Sequence, residues 1–237
     1  MRKIFGYECR RLLWNKFFFG LLLVILFYGW QVLNGVTVLG VSHTAPFSPW
    51  SFGDFLCRMV PLLWIGNLFL LTFFTSGKAR RAAVLTDAAP TEPRRYTLAR
   101  CGAALTGTVL LALAVLAEAA VFYGWYFGWH GWGELLLPAL VTLVPPLAFA
   151  LGSGWLLGRV RPWLLYVWIL LPFALALLPL PEALELWNGS FFTQYPLTLG
   201  TLDPAFSLPV AVLLVQCALL TAGIVLLALP RRRRHVE

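Results

Sequence analysis

Three charged side chains fall within the apolar runs of this chain, the first two near the end of theirs: Asp54, Arg58 and Glu118. Asp54 and Arg58 stand four apart, so on a helix they share one face. Arg58 is expected about 9 Å in from residue 52 and Glu118 about 12 Å in from residue 126, both from the same side. A charge at the bilayer centre costs roughly 2.5–3.5 kcal/mol on insertion scales. Arg58 and Glu118 are therefore expected to pair at matched depth, either as a structural ion pair or as part of a substrate or gating path. Ser153, between Gly152 and Gly154, invites a nucleophile reading, but that chemistry needs a base within reach of the hydroxyl. His43, His130 and His235 all fall outside the apolar runs, which argues against a protease. Gly77-Lys78-Ala79 lacks the upstream glycine and the hydroxyl residue of a phosphate-cradling loop, so the chain carries no nucleotide site of that kind.

The elements that position these groups follow from charge and hydropathy. Hydrophobic residues make up 60% of the 237 residues and charged ones 12%, far from the balance of a soluble domain. Of the eighteen Lys and Arg, all but Arg58 fall into four segments. These are Arg2, Lys3, Arg10, Arg11 and Lys16; Lys78, Arg80, Arg81, Arg94, Arg95 and Arg100; Arg159 and Arg161; and Arg231 to Arg234. They alternate with gaps free of Lys and Arg at roughly 40–51, 127–133 and 182–207. Cationic loops stay on the cytoplasmic side during insertion, so an all-α membrane protein is expected, with six spans at about 17–39, 52–75, 102–126, 134–158, 162–181 and 208–229. An even number of crossings puts both termini in the cytosol. The whole chain, 1–237, is expected to form one transmembrane domain. The net charge of +8 reads as anchoring to anionic lipid, and nucleic acid is not an expected partner.

Smaller features fit that frame. Trp14, Trp155 and Trp163 are expected in an inner aromatic belt, and Trp50, Trp125, Trp129, Trp132 and Trp187 in an outer one. Gln31, Asn34, Asn67 and Gln216 are expected to make hydrogen bonds between spans. The four cysteines, Cys9, Cys57, Cys101 and Cys217, are scattered and indicate neither a disulfide framework nor a metal cluster. The first apolar run is too long for a signal-peptide core and reads as a retained signal anchor. The gap from Glu182 to Ser207 has room for one short outer helix or a re-entrant turn. Lys78 to Ala89 is rich in helix formers and is stopped by Pro90 and Pro93, which predicts a short cytosolic helix and then a fresh helix start.

A basic amphipathic N-terminus, six spans, and a short basic cytosolic helix between spans two and three resemble the permease subunits of ABC type-2 transporters. Leu85, Pro90, Arg94, Arg95, Leu98 and Arg100 match that family's step into span three. Gly77, Ala79 and Arg81 depart from it, standing where an acidic residue and a glycine are usual. The resemblance implies a permease dimer in a bacterial inner membrane, exporting an amphipathic or hydrophobic substrate such as a peptide, drug or lipid. It implies no catalysis and no cofactor on this chain. ATP and Mg would be held by a separate ATP-binding-cassette ATPase, with the dock formed by Arg80, Arg81, Val84, Leu85 and Asp87. The alternative expectation is a membrane protein outside that family: half of an ion-driven carrier, or an assembly or anchoring subunit.

Overall fold

The computed structural model describes residues 2–75, 93–178, 182–187, 189–202 and 204–229. The expected cytosolic helix at Lys78–Ala89, with Arg80, Arg81, Val84, Leu85 and Asp87, lies outside the described residues. Among the described residues the chain is entirely helical, without a strand. Helix α1 spans Arg2–Leu13, α2 Lys16–Gly35, α3 Pro49–Thr75, α4 Pro93–Phe127 and α5 Trp132–Val160. Two short helices follow, α6 (Leu164–Trp168) and α7 (Leu171–Leu177), then a 3-10 turn at Glu182–Trp187. Helix α8 covers Ser190–Thr198, and α9 (Val210–Ala228) closes the described chain.

Local chemistry sets the helix starts. The Asn15 side chain accepts from Phe17 N at 3.2 Å and so caps α2. Ser48 accepts from Ser51 N at 3.2 Å, and Pro49 takes the first helical position of α3, where a missing N–H costs nothing. Pro93 begins α4 in the same way, at the expected fresh start.

Five helical stretches among the described residues are long and apolar enough to cross a membrane: Lys16–Leu39, Pro49–Thr75, Tyr96–Phe127, Trp132–Val160 and Val210–Ala228. The fifth expected span, 162–181, takes a different form. Its apolar helical stretch, Leu164–Leu177, is shorter than these and is broken between α6 and α7. Pro172 is the reason, because it has no N–H to offer the Trp168 carbonyl one turn back. The Trp64 indole of α3 donates to that carbonyl instead, at 3.1 Å.

Helix α3 is the hub. Trp50, Phe55, Leu56, Met59, Leu63 and Trp64 on it have no exposed surface. Asn67 of α3 donates to Leu147 O of α5 at 2.9 Å, an interhelical bond of the expected kind, whereas Asn34 turns back onto its own helix at Trp30 O. Helices α5 and α9 touch backbone to backbone: a Cβ on Gly152 would stand 2.2 Å from the Gly223 carbonyl oxygen. Close approach through small residues is how spans gain packing energy where lipid is as apolar as leucine.

The expected aromatic belts hold only in part. Trp14, Trp125 and Trp163 are exposed, as lipid-interface residues should be, but Trp50, Trp155 and Trp187 are buried. Trp50 packs against Phe191, Tyr195 and Phe206, and its indole donates to Pro204 O at 2.8 Å. A buried indole needs an acceptor, and the connection between α7 and α9 supplies it. That connection, the 3-10 turn and α8, forms a cap over the N-terminal end of α3, with the Phe192 ring seated on Gly53.

Candidate functional site

Below that cap lies a cavity of about 630 Å³. Its walls come from α2 (Val24, Tyr28), α3 (Asp54, Cys57, Arg58, Pro61, Leu62), α7 (Phe173, Ala176) and the cap (Trp187, Gly189, Ser190, Thr193). The volume falls within the roughly 300–1,000 Å³ of small-molecule sites. The cap is fixed at three points. Cys57 donates to Leu186 O at 2.7 Å, the Ser42 hydroxyl donates to Thr193 O, and Gly189 turns the chain with a left-handed φ of 79° before α8 begins. A side chain at Gly189 would be strained in that conformation.

The charge in the cavity is arranged unevenly. Arg58 Nε donates to Asp54 Oδ2 at 2.8 Å, one helical turn away. The Asp54 side chain is 3% exposed and that of Arg58 is 43% exposed. Arg58 is the one exposed residue of α3. The pair therefore presents guanidinium to the cavity and keeps its carboxylate behind.

Glu118 is not part of this pair. The expected Arg58–Glu118 bridge is absent, because the two groups share a depth but not a direction. Successive residues on a helix turn by about 100°, so Met59 occupies the side of α3 that Arg58 leaves. The Glu118 carboxyl lies against the α2 backbone: a Cβ on Gly29 would stand 2.3 Å from Glu118 Oε2 and 3.3 Å from Met59 Cε. Glu118 Oε2 is buried with no hydrogen-bond partner among the described residues.

A second charged cluster, which sequence reasoning does not single out, sits at the opposite end of α3, at the start of α4. Glu8 on α1 is 1% exposed. Tyr96 donates to Glu8 Oε1 at 2.9 Å, and Arg100 Nε stands 3.6 Å from the same oxygen. Arg100 also donates to the Tyr96 hydroxyl at 2.8 Å and lies over the Tyr96 and Phe74 rings, 4.1 and 5.9 Å from their centroids. Arg11 approaches Glu8 from the exposed side at 3.8 Å. This cluster ties α1 to α4 and to the end of α3. Burial pushes the Cys9 thiol above its ordinary pKa; a hydrogen bond with Thr106 opposes the rise and the charge of Glu8 adds to it.

Ser153 is committed to structure. Its hydroxyl accepts from Trp168 Nε1 at 2.8 Å and donates to Phe149 O at 2.5 Å, which fastens α6 to α5. All four cysteines carry free thiols. Comparison with known proteins found no family model, no curated protein and no solved structure that matches this chain.

Proposed function

We propose that this chain is the membrane-embedded permease subunit of an ATP-driven transporter, moving an amphipathic or hydrophobic substrate outward across a cell membrane. A separate ATP-binding-cassette subunit holds ATP and Mg, and a second permease copy completes the complex. The observation that carries this reading is the cavity among α2, α3, α7 and the cap, a largely apolar space that holds a buried carboxylate paired with a partly exposed guanidinium. Charge inside a span is costly, and its default meaning is function. An anchoring subunit has no need to keep a charged, open cavity among its spans.

The inner end supports the coupling half of the proposal. Helix α1 is bound to the first turns of α4, and α4 directly follows the basic segment that resembles a coupling helix. Force applied to that segment would reach α1, α3 and α4 together. Both termini belong in the cytosol in this arrangement, with α6 and α7 completing a sixth crossing. In support, Arg159 Nη1 meets Leu229 O at one end of α5 and α9, while Val141 and Val212 share a cluster with Leu186 and Phe191 toward the other. Helices α5 and α9 thus run parallel, as they must if α6 and α7 cross back between them.

Affinity purification from native membranes in mild detergent tests the reading. The expected result is that an ATP-binding-cassette ATPase comes with the chain. Its absence from a preparation that retains other membrane complexes overturns the proposal.

A further inference from the structure

The Asp54–Arg58 pair defines what the cavity takes, on the premise that the cavity is the transport site proposed above. We infer that it binds an amphiphile with an anionic head, a carboxylate or a phosphate, seated on the Arg58 guanidinium with its apolar tail along α2 and α7.

Three observations lead there. Asp54 is buried and already accepts from Arg58, so the negative member of the pair is closed to a ligand. Arg58 engages Asp54 through Nε, and its two Nη atoms have no hydrogen-bond partner among the described residues. They are the paired donors that fit the two oxygens of a carboxylate or phosphate. The remaining wall is apolar where a tail would lie, at Val24, Leu62, Phe173 and Ala176. The N-terminal end of α8, at Gly189 and Ser190, lines the same cavity and adds positive potential. A cationic amphiphile would meet the exposed guanidinium, with the Asp54 carboxylate almost wholly buried behind it, and is rejected.

The experiment uses the purified full chain in phosphatidylcholine nanodiscs without any ATPase, with empty nanodiscs subtracted. Radiolabelled dodecyl phosphate should bind saturably, and about tenfold or more tighter than dodecyltrimethylammonium. Inorganic phosphate alone should show no saturable binding. Arg58→Gln should erase the preference for the anionic probe. Ala176→Trp, which fills the apolar wall and leaves the pair intact, should remove saturable binding of dodecyl phosphate, so the inference does not depend on Arg58→Gln folding. Equal binding of the two amphiphiles, or an unchanged preference in Arg58→Gln, overturns it, as does full binding in Ala176→Trp. Phosphatidylglycerol nanodiscs separate the sources. Competition by that lipid assigns the site to a phospholipid head, and undiminished binding assigns it to a free amphiphile; either keeps the anionic-head site. These results are independent of ATPase co-purification, so failure of the site and failure of the permease reading are told apart.

Discussion

The molecule holds two charged clusters built from similar parts and finished in opposite ways. Where α1 meets the start of α4, Glu8 is met by Tyr96 and Arg100, and the Arg100 side chain is only 11% exposed. In the cavity, Asp54 is equally buried, but its partner Arg58 is 43% exposed. The first cluster joins three helices and keeps its cation almost wholly out of solvent. The second lies within one helix and shows half of its cation to open space. A charge pair whose two members are both buried and drawn from different helices acts as a fastener, even though Glu8 Oε2 and Arg100 Nε find no hydrogen-bond partner among the described residues. A pair left half-satisfied inside a cavity has donors to offer a ligand. The difference between them is in the cation, since the acids are buried alike.

Breaking the two clusters should therefore have unequal results. The largest effect belongs to Arg100→Ala, which strands the Glu8 carboxylate in a buried site. Removing one partner of a buried pair costs about 3–5 kcal/mol, so folded yield and thermal midpoint in fluorescence-detected size exclusion should fall sharply. Tyr96→Phe removes one donor from the same carboxylate and should cost about 1.5–3 kcal/mol by the same assay. Asp54→Asn should cost about 1 kcal/mol or less, because the amide oxygen still accepts from Arg58 and the guanidinium keeps its access to the cavity. Equal losses from Arg100→Ala and Asp54→Asn would erase the distinction between fastener and site.

The smallest effect is a reporter on the Glu8 cluster. With its pKa raised, the Cys9 thiol holds less thiolate at neutral pH than a free cysteine, so maleimide labelling should be slow and should accelerate as pH rises. Glu8→Gln removes a charge that raises the Cys9 pKa, and labelling at fixed pH should become faster. An unchanged rate would place Glu8 too far from the thiol to matter.

How much of this was legible beforehand depends on which contacts are local. Asp54 and Arg58 are four residues apart, so their pairing follows from helix geometry alone. The fresh start at Pro93 and five of the spans follow likewise from proline chemistry and hydropathy. The burial of Glu8 is not legible because the partners that enclose it, Tyr96 and Arg100, lie 88 residues and more along the chain, and its local neighbour Arg11 marks only an ordinary exposed pair. Depth can be counted from sequence and pairs Glu118 with Arg58, whereas direction around the helix depends on how α2, α3 and α4 pack. The span at 162–181 looked ordinary by composition. The break before Pro172 required Trp64, from a different helix, to accept its consequences. The buried Trp50 and Trp187 escaped notice for a related reason: a tryptophan near a span end looks the same whether lipid or a capping helix covers it.

The central claim is that a separate ATPase drives an anionic amphiphile through the cavity that Arg58 lines. It is tested most directly by reconstituting the co-purified complex in sealed liposomes and following labelled dodecyl phosphate across the bilayer. The account predicts ATP-dependent movement that stops without ATP and falls about tenfold or more in a complex carrying Arg58→Gln. Movement at the same rate without ATP, or undiminished movement through Arg58→Gln, would contradict it.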